Sequence, residues 1–179
     1  IKEETGLPII GLIKQEYPVF QGSITMTMRE VDECMAAGAD FVSIDFTDCV
    51  RGDGLTPTEF LKAVREEYPN IIIMADCATF EEGVAAHAAG ADLVGTTMNG
   101  YTPQTAGETG EPNFALVARL VKTLPCPVIA EGRIHTPEQA RKMLEIGAWA
   151  VVVGGAITRP LEIASRFMAA VRDLPGGMV

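Results

Sequence analysis

A repeated unit of helix, glycine and apolar strand constrains the fold more than any other feature of this sequence. The unit occurs as VDECMAAGADFVSID at residues 31–45, GVAAHAAGADLVGTT at 83–97 and ARKMLEIGAWAVVVG at 140–154. Glycine just after a helix adopts the left-handed conformation that ends the helix without steric cost. A chain that alternates helices and strands in this way predicts a parallel sheet with helical crossovers.

The apolar pattern predicts six strands and six main helices. The strands are near-continuous apolar runs, which is typical of parallel strands buried on both faces; they are predicted at 8–14, 41–47, 71–77, 93–98, 127–132 and 150–156. The helices are predicted at 27–37, 56–68, 79–89, 113–124, 136–146 and 160–172. Capping boxes, which satisfy backbone N–H groups at a helix start, are formed by Thr27 with Glu30, Thr56 with Glu59, Thr79 with Glu82 and Thr136 with Gln139.

The number of strands and the chain length help to distinguish a barrel from an open doubly wound sheet. The periodicity allows a barrel or an open doubly wound sheet, but no G-x-G-x-x-G follows the first strand, which disfavours a dinucleotide-binding sheet. The opening IKEETGLPII matches LVKTLPCPVI at 120–129, so the chain is expected to start inside a helix. Six units do not close an eight-stranded barrel of about 250 residues. We therefore predict one domain over 1–179, an α/β TIM (β/α)8 barrel that lacks about two βα units at its front.

Composition excludes several classes of function. The net charge of −10 argues against a nucleic-acid partner, which would need a basic face. The longest apolar run, at 148–157, is too short to span a bilayer, and no signal peptide is expected at the start. The four cysteines form no C-x-x-C pair, which favours reduced thiols. A cytoplasmic protein with no membrane partner is expected.

Charged residues at strand ends are the candidates for chemistry, because active sites of barrels lie at the carboxyl ends of the strands. Seven such residues converge on this predicted rim: Lys14, Asp45, Asp76 and Glu131 end strands, and Arg51, Arg133 and Arg159 lie in the loops that follow. His87 and His135 have no Cys or Asp neighbour at a ligand offset, so no metal site is expected.

The ends of the last two strands predict a phosphate site. Gly132 lies between Glu131 and Arg133, while Gly154 and Gly155 precede Arg159 and a helix start. Glycine lets backbone N–H groups approach an anion closely, and barrel phosphate sites are often built from the loops after strands 7 and 8. The sequence therefore predicts a barrel of the phosphate-binding type, with a phosphate held by Gly132, Gly154, Gly155 and Arg159.

Five segments together resemble the N-acetylmannosamine-6-phosphate 2-epimerases: GLIK at 11–14, ADC-x-T-x-EEG at 75–83, TT-x-x-GYT at 96–102, PVIAEGRI-x-TP at 127–137 and GA-x-AVVVGGAITRP at 147–160. The resemblance covers essentially the whole chain. It implies interconversion of N-acetylmannosamine 6-phosphate and N-acetylglucosamine 6-phosphate in sialic acid catabolism, without a metal or nicotinamide cofactor. A homodimer is usual for the family.

The resemblance also implies roles for individual residues. Lys14 matches the family's acid/base lysine and Glu131 its partnering glutamate, while Asp76 and Arg51 match positions that face the sugar. Asp45 and Arg133 are expected to bind substrate beside them. The family's phosphate site falls on the residues already singled out for phosphate. Four positions near the mouth depart from the family pattern: Met26, Phe46, Asn99 and His135.

Two other functions stay open at this point. A lysine at the end of a barrel strand can form a Schiff base, so an aldolase of the phosphate-binding barrel class is one alternative. The other is a fragment that binds sugar phosphate without turnover, since two βα units of a barrel are not accounted for.

Overall fold

The computed structural model describes residues 1–17, 22–49, 51, 53–108 and 110–172, and its strands form a single parallel sheet. Neighbouring strands follow one another in chain order across the sheet. The strands are β1 (Ile10–Gly11), β2 (Phe41–Asp45), β3 (Ile72–Asp76), β4 (Leu93–Gly95), β5 (Val128–Glu131) and β6 (Ala150–Val152).

Helices fill every gap between the strands. They are α1 (Lys2–Thr5), α2 (Met28–Ala36), α3 (Pro57–Glu67), α4 (Phe80–Ala89), α5 (Phe114–Thr123), α6 (Pro137–Ile146), α7 (Gly155–Thr158) and α8 (Pro160–Arg172). All four predicted capping boxes are formed, with the threonine side chain and the Glu or Gln side chain each accepting from the other's backbone N–H. The chain starts in a helix, as predicted, and Gly6 ends it with φ +66°.

The strand order identifies the architecture as part of a barrel. Parallel crossovers are right-handed, so adding each new strand on the same side of the previous one places all the helices on one face. A doubly wound sheet would instead reverse its strand order at a switch point. Within the described residues β1 and β6 do not pair with each other, so the sheet is an open arc. The prediction of six parallel barrel strands is confirmed.

The core lies between the sheet and the helices. Phe60, Leu61 and Val64 of α3 are fully buried against β2 and β3, and burying each such side chain contributes about 1.5–3 kcal/mol. Helix α4 approaches α5 closely at Gly83, where a Cβ atom would lie 2.6 Å from Cδ2 of Leu120. Because that space is filled, Gly83→Ala would require the Leu120 side chain to move.

The two predicted end strands differ from the observed ones. The first, predicted at 8–14, is a ladder only at Ile10–Gly11; beyond it the chain turns into an antiparallel bridge between Lys14 and Ile24. The last, predicted at 150–156, ends at Val152, and Gly155–Thr158 forms the one-turn helix α7. An apolar run marks buried chain, but only a neighbouring strand decides how much of it forms a ladder.

Two further findings concern the chain as a whole. All four cysteines are free thiols. Among the described helices, none is both long enough and apolar enough to pass through a bilayer.

Candidate active site

A cavity of about 570 Å³ opens at the carboxyl ends of the strands, within the size range of small-molecule sites. Its wall includes seven of the ten residues predicted to act on substrate. These are Lys14, Glu131, Gly132, Arg133, Gly154, Gly155 and Arg159. The structure therefore brings the predicted acid/base pair and the predicted phosphate site into one cavity.

Lys14 reaches the cavity from a loop rather than from the end of a strand. The segments around Lys14 and Ile24 pair antiparallel, since the backbone N–H of Gln15 donates to the carbonyl of Ser23 at 3.0 Å. The backbone N–H of Asp45 donates to the carbonyl of Ile24 at 2.8 Å, which ties this loop to the end of β2. Lys14 is exposed, so its ammonium group is available to a molecule in the cavity.

Glu131 is the last residue of β5 and is half-buried in the cavity wall. Burial raises the pKa of its carboxyl, while a hydrogen bond from Thr97 and the positive charge of Lys14 act in the opposite direction. Its backbone is fixed by Thr96, whose hydroxyl donates to the Glu131 carbonyl at 2.9 Å and accepts from its N–H at 3.1 Å. The backbone of Glu131 is thus fixed, and its side chain lies in the same cavity wall as Lys14.

Asp76 ends β3 and lies beneath the cavity wall, where it is fully buried. Its two carboxyl oxygens are each 2.5 Å from a hydroxyl oxygen, those of Ser43 and Thr97. Burial, reinforced by the negative charge of Glu131, raises the pKa of Asp76 to about 7 against these hydrogen bonds. The side chain fits because its neighbour in the sheet is Gly95, where a Cβ atom would lie 2.9 Å from the Asp76 carboxylate.

Asp45 and Arg51 lie behind the cavity wall as well, which differs from the expectation that they face a sugar. The Asp45 carboxylate accepts from the hydroxyl of Thr47 at 2.6 Å and from the N–H of Ser23 at 3.1 Å, so it holds the loop that carries the wall. The Arg51 guanidinium is buried 3.7 Å above the Phe60 ring and donates to the carbonyls of Met26 and Asp45. Both side chains hold the loop that contains Ser23 and Met26, which lies over the end of β2.

Arg133 is in the cavity wall in a backbone conformation that side chains rarely adopt. Its φ is +58° and that of the preceding Gly132 is +100°, and a non-glycine residue there costs on the order of 1–3 kcal/mol. Its Nη2 donates to the Asn99 side chain at 2.6 Å. Its Nε and Nη1 are buried and have no hydrogen-bond partner among the described residues. Two donors are therefore available beside the cavity.

The segment from Gly154 to Glu162 builds a further part of the cavity wall. Arg159 is exposed, and its Nη1 lies 2.6 Å from Oε1 of Glu162. The other Glu162 oxygen lies 2.4 Å from the position that a Cβ atom on Gly155 would take. The Glu162 carboxylate therefore contacts Arg159 and fills the space beside Gly155.

The cavity wall also includes side chains to which the sequence analysis gave no role, among them Thr97, Tyr101 and Glu162. Thr97 and Tyr101 lie within the TT-x-x-GYT segment, so the resemblance marked the segment without giving either residue a role. Glu162 is in the first turn of α8, three positions after Arg159, and the two side chains form an ion pair. Within the described ranges, no group of three or more His, Cys, Asp or Glu side chains is placed to hold a metal ion.

Comparisons with known proteins agree with this geometry. Residues 1–173 match the family model described as "Putative N-acetylmannosamine-6-phosphate epimerase" (NanE). A protein of Caldanaerobacter subterraneus subsp. tengcongensis, named as a 2-epimerase of the same kind, is 50% identical over 97% of this chain and 73% of its own length. The solved N-acetylmannosamine-6-phosphate 2-epimerase of Clostridium perfringens superposes with a TM-score of 0.88 at 43% identity, covering 95% of this chain and 73% of that one.

A more distant likeness concerns the fold alone. Thiamine phosphate pyrophosphorylase from Pyrococcus furiosus superposes with a TM-score of 0.55 at 22% identity, over 79% of this chain and 63% of that one. The match of residues 1–173 to the family model and the 50% identity to a family member together show to which family the chain belongs. The chain belongs to the N-acetylmannosamine-6-phosphate epimerase family.

Proposed function

We propose that this chain is an isomerase that interconverts N-acetyl-D-mannosamine 6-phosphate and N-acetyl-D-glucosamine 6-phosphate by moving a proton at C2 of the sugar, a step of sialic acid catabolism. The observation that carries the proposal is the shared cavity, whose wall includes Lys14 and Glu131 as well as Gly154, Gly155 and Arg159. A sugar phosphate bound in this cavity contacts Lys14 and Glu131 with its reacting end, and Gly154, Gly155 and Arg159 with its phosphate.

The chemistry at the sugar end is proton transfer. Inverting the carbon that bears the N-acetyl group requires removal of the proton next to the aldehyde of the open-chain sugar, and its return to the opposite face. Such a reaction needs a base at C2 and a group that stabilises or protonates the enolate oxygen. Lys14 is the acid/base that moves the proton, and Glu131 is its partner at the ring oxygen or the opposite face. Burial raises the pKa of Glu131 above its ordinary value, which favours the protonated form in a group that is to carry a proton.

The chemistry at the other end is anion recognition. Arg159 forms a charge-assisted hydrogen bond with the phosphate once Glu162 has turned away, and the backbone at Gly132, Gly154 and Gly155 leaves room for close approach of an anion. Arg133 adds its two unpartnered donors to the sugar or its N-acetyl group. Asp45, Asp76 and Arg51 support the wall from behind, and no metal or organic cofactor takes part.

A Schiff-base aldolase remains the second candidate, because Lys14 is exposed to the cavity. Sodium borohydride distinguishes the two: an imine between Lys14 and a substrate carbonyl would be reduced to a stable adduct that mass spectrometry detects. The epimerase mechanism forms no such bond, and no adduct is expected. A fragment that binds without turnover would give neither adduct nor product.

The decisive experiment follows the C2 proton of N-acetylmannosamine 6-phosphate in deuterated water by NMR. We expect the product to carry solvent deuterium at C2, and Lys14→Ala to abolish both product formation and exchange. Epimerisation with no deuterium entering at C2, or a Lys14→Ala chain of normal rate, would overturn the mechanism. Lys122→Ala is the matched control, because Lys122 is an exposed lysine on α5 and is not part of the cavity wall.

The cellular setting belongs to the proposal too. We propose a cytoplasmic homodimer of single-domain chains, supported by the family's usual assembly, the free cysteines and the net charge of −10. Size-exclusion chromatography with light scattering measures the mass, and a monomer at micromolar concentration would contradict the dimer.

A further inference from the structure

Arg133 is held in the cavity wall by an uncharged side chain. Its Nη2 donates to Oδ1 of Asn99 at 2.6 Å, and Asn99 itself is buried. Within the described part of the chain, no carboxylate forms an ion pair with Arg133. Arg159 in the same wall differs in this respect, because its Nη1 lies 2.6 Å from Oε1 of Glu162. The positive charge of Arg133 is therefore fixed in place without being neutralised.

The orientation of the Asn99 amide follows from its other neighbours. Its Nδ2 donates to the carbonyl of Ala78 at 2.8 Å and to Oε2 of Glu108 at 2.9 Å. A carbonyl and an ionised carboxylate only accept hydrogen bonds, so the amide nitrogen must face them and the amide oxygen must face Arg133. The same Glu108 oxygen accepts from Nδ2 of Asn113, the N-cap of α5, at 2.6 Å. Aspartate at residue 99 would have no donor for either partner.

The backbone around Arg133 is also adapted to one place for its guanidinium. Arg133 has φ +58° and the preceding Gly132 has φ +100°. A positive φ is uncommon outside glycine and persists where the surroundings fix it. Gly100 has φ +89°, and a Cβ atom there would lie 3.1 Å from Cζ and Nη1 of Arg133. The guanidinium thus packs against bare backbone on one side and is hydrogen-bonded to Asn99.

We infer that Asn99 is a positioning residue, which fixes Arg133 through a neutral oxygen so that the positive charge stays available to an oxygen of the sugar. This inference rests on the proposed function, in which Arg133 contacts the sugar. Removal of the C2 proton places negative charge on the aldehyde oxygen, and a cation already held in position stabilises that charge without reorganising. A carboxylate at residue 99 would hold the guanidinium as well, but it would neutralise the charge.

A double-mutant cycle of Asn99→Asp and Arg133→Gln tests whether Asn99 acts through Arg133. Asn99→Asp keeps the size and an acceptor for Arg133, but it adds a charge and removes both donors. We expect it to lower kcat/KM for epimerisation roughly 10- to 100-fold, the contribution of a hydrogen bond to a charged group. Arg133→Gln should lower kcat/KM by a similar factor. The double variant should be no slower than Arg133→Gln, because both changes remove the same guanidinium charge.

Asn113→Asp is the matched control. Asn113 donates to the same Glu108 oxygen as Asn99, but it lies outside the wall of this cavity. Aspartate is as good an N-cap as asparagine, so α5 should start normally. We expect a normal kcat/KM. An Asn99→Asp chain with the kcat/KM of the wild type, or a loss that is undiminished when residue 133 is glutamine, would refute the inference.

A readout that does not depend on activity completes the test. Nitrogen-15 NMR of the arginine side chains follows the Nε–H of Arg133, which is buried and should exchange slowly with solvent in the wild type. Asn99→Ser removes the amide without adding a charge, and we expect faster exchange of this proton. Unchanged exchange in Asn99→Ser, in a chain that still exchanges the C2 proton, would contradict the positioning role alone. Slow exchange at Arg133 in a wild type that does not epimerise would contradict the proposed function instead.

Discussion

The two sides of the cavity are built in opposite ways. The carboxyl side consists of Ser43 in β2, Asp76 at the end of β3, Thr97 after β4 and Glu131 at the end of β5, and the hydroxyls of Ser43 and Thr97 both hydrogen-bond to Asp76. The anion side consists of Gly154, Gly155, Arg159 and Glu162, which lie within nine consecutive residues and are largely exposed. Buried groups in a fixed frame suit proton transfer, while exposed groups on one short segment suit binding and release of a charged substrate.

The difference between the sides extends to the strength of their contacts. Desolvation makes every hydrogen bond on the carboxyl side matter for the ionisation of its neighbours, because an uncompensated charge there is costly. The Arg159–Glu162 pair lies in water, where an ion pair contributes at most about 1 kcal/mol. Glu162 therefore gives way to a phosphate at small cost.

The largest expected effect is on turnover when the acid/base pair is removed. Lys14→Ala and Glu131→Gln should each lower the turnover number by roughly 10²–10⁴-fold with a nearly unchanged Michaelis constant, because general acid–base catalysis acts in the transition state. Steady-state kinetics in both directions of the reaction checks this. A large rise in the Michaelis constant with normal turnover would show that Lys14 and Glu131 act in substrate binding rather than in proton transfer. The two sides would then not differ in function.

The next effect concerns stability against pH and is confined to the carboxyl side. The pKa of Asp76 is raised to about 7 in the folded chain, against 3.8 ordinarily, so its contribution to stability is fully present below about pH 4 and is lost as the pH rises through 7. The difference corresponds to an upper bound of about 4 kcal/mol. The free energy of unfolding should fall over this range in the wild type, and fall much less in Asp76→Asn, where only the raised pKa of Glu131 remains.

Urea unfolding at pH 5 and pH 8 measures this change. Asp45→Asn is the matched control, since Asp45 is an equally buried carboxyl at the neighbouring strand end. If Asp76→Asn shows the same loss of stability with rising pH as the wild type, Asp76 does not hold a proton in the folded chain.

The smallest effect is on the anion side. Arg159→Ala should raise the Michaelis constant about 10-fold with turnover largely kept, because a charge-assisted hydrogen bond contributes about 1.5–3 kcal/mol and an exposed one lies at the low end. Glu162→Gln should lower the Michaelis constant, since it weakens the competitor for Arg159. The matched control is Arg141→Ala, which removes an exposed Arg–Glu pair on α6 outside the cavity wall. If Arg159→Ala and Arg141→Ala had the same Michaelis constant for the sugar phosphate, a phosphate site at Arg159 would be contradicted.

The helix starts and the sheet type are determined by the sequence alone. Each capping box, such as Thr79 with Glu82, is a contact between residues three positions apart, so it needs no information from the rest of the chain. The parallel sheet follows from the alternation of helices and apolar strands, whereas the strand order does not, because the same alternation builds both barrels and doubly wound sheets. The family resemblance placed Lys14, Glu131 and Arg159 at a common rim, and all three lie in one cavity wall.

Only the tertiary structure decided which charged strand ends reach the cavity. Asp45, Asp76 and Glu131 all end strands, yet only Glu131 reaches the cavity wall, because Thr97 and the loop around Ser23 and Ile24 cover the other two. The sequence pattern carries the position of a residue along its strand, but not the path of a loop that returns from elsewhere in the chain. Burial under those loops is what turns Asp76 from an ordinary carboxylate into one that binds a proton near neutral pH.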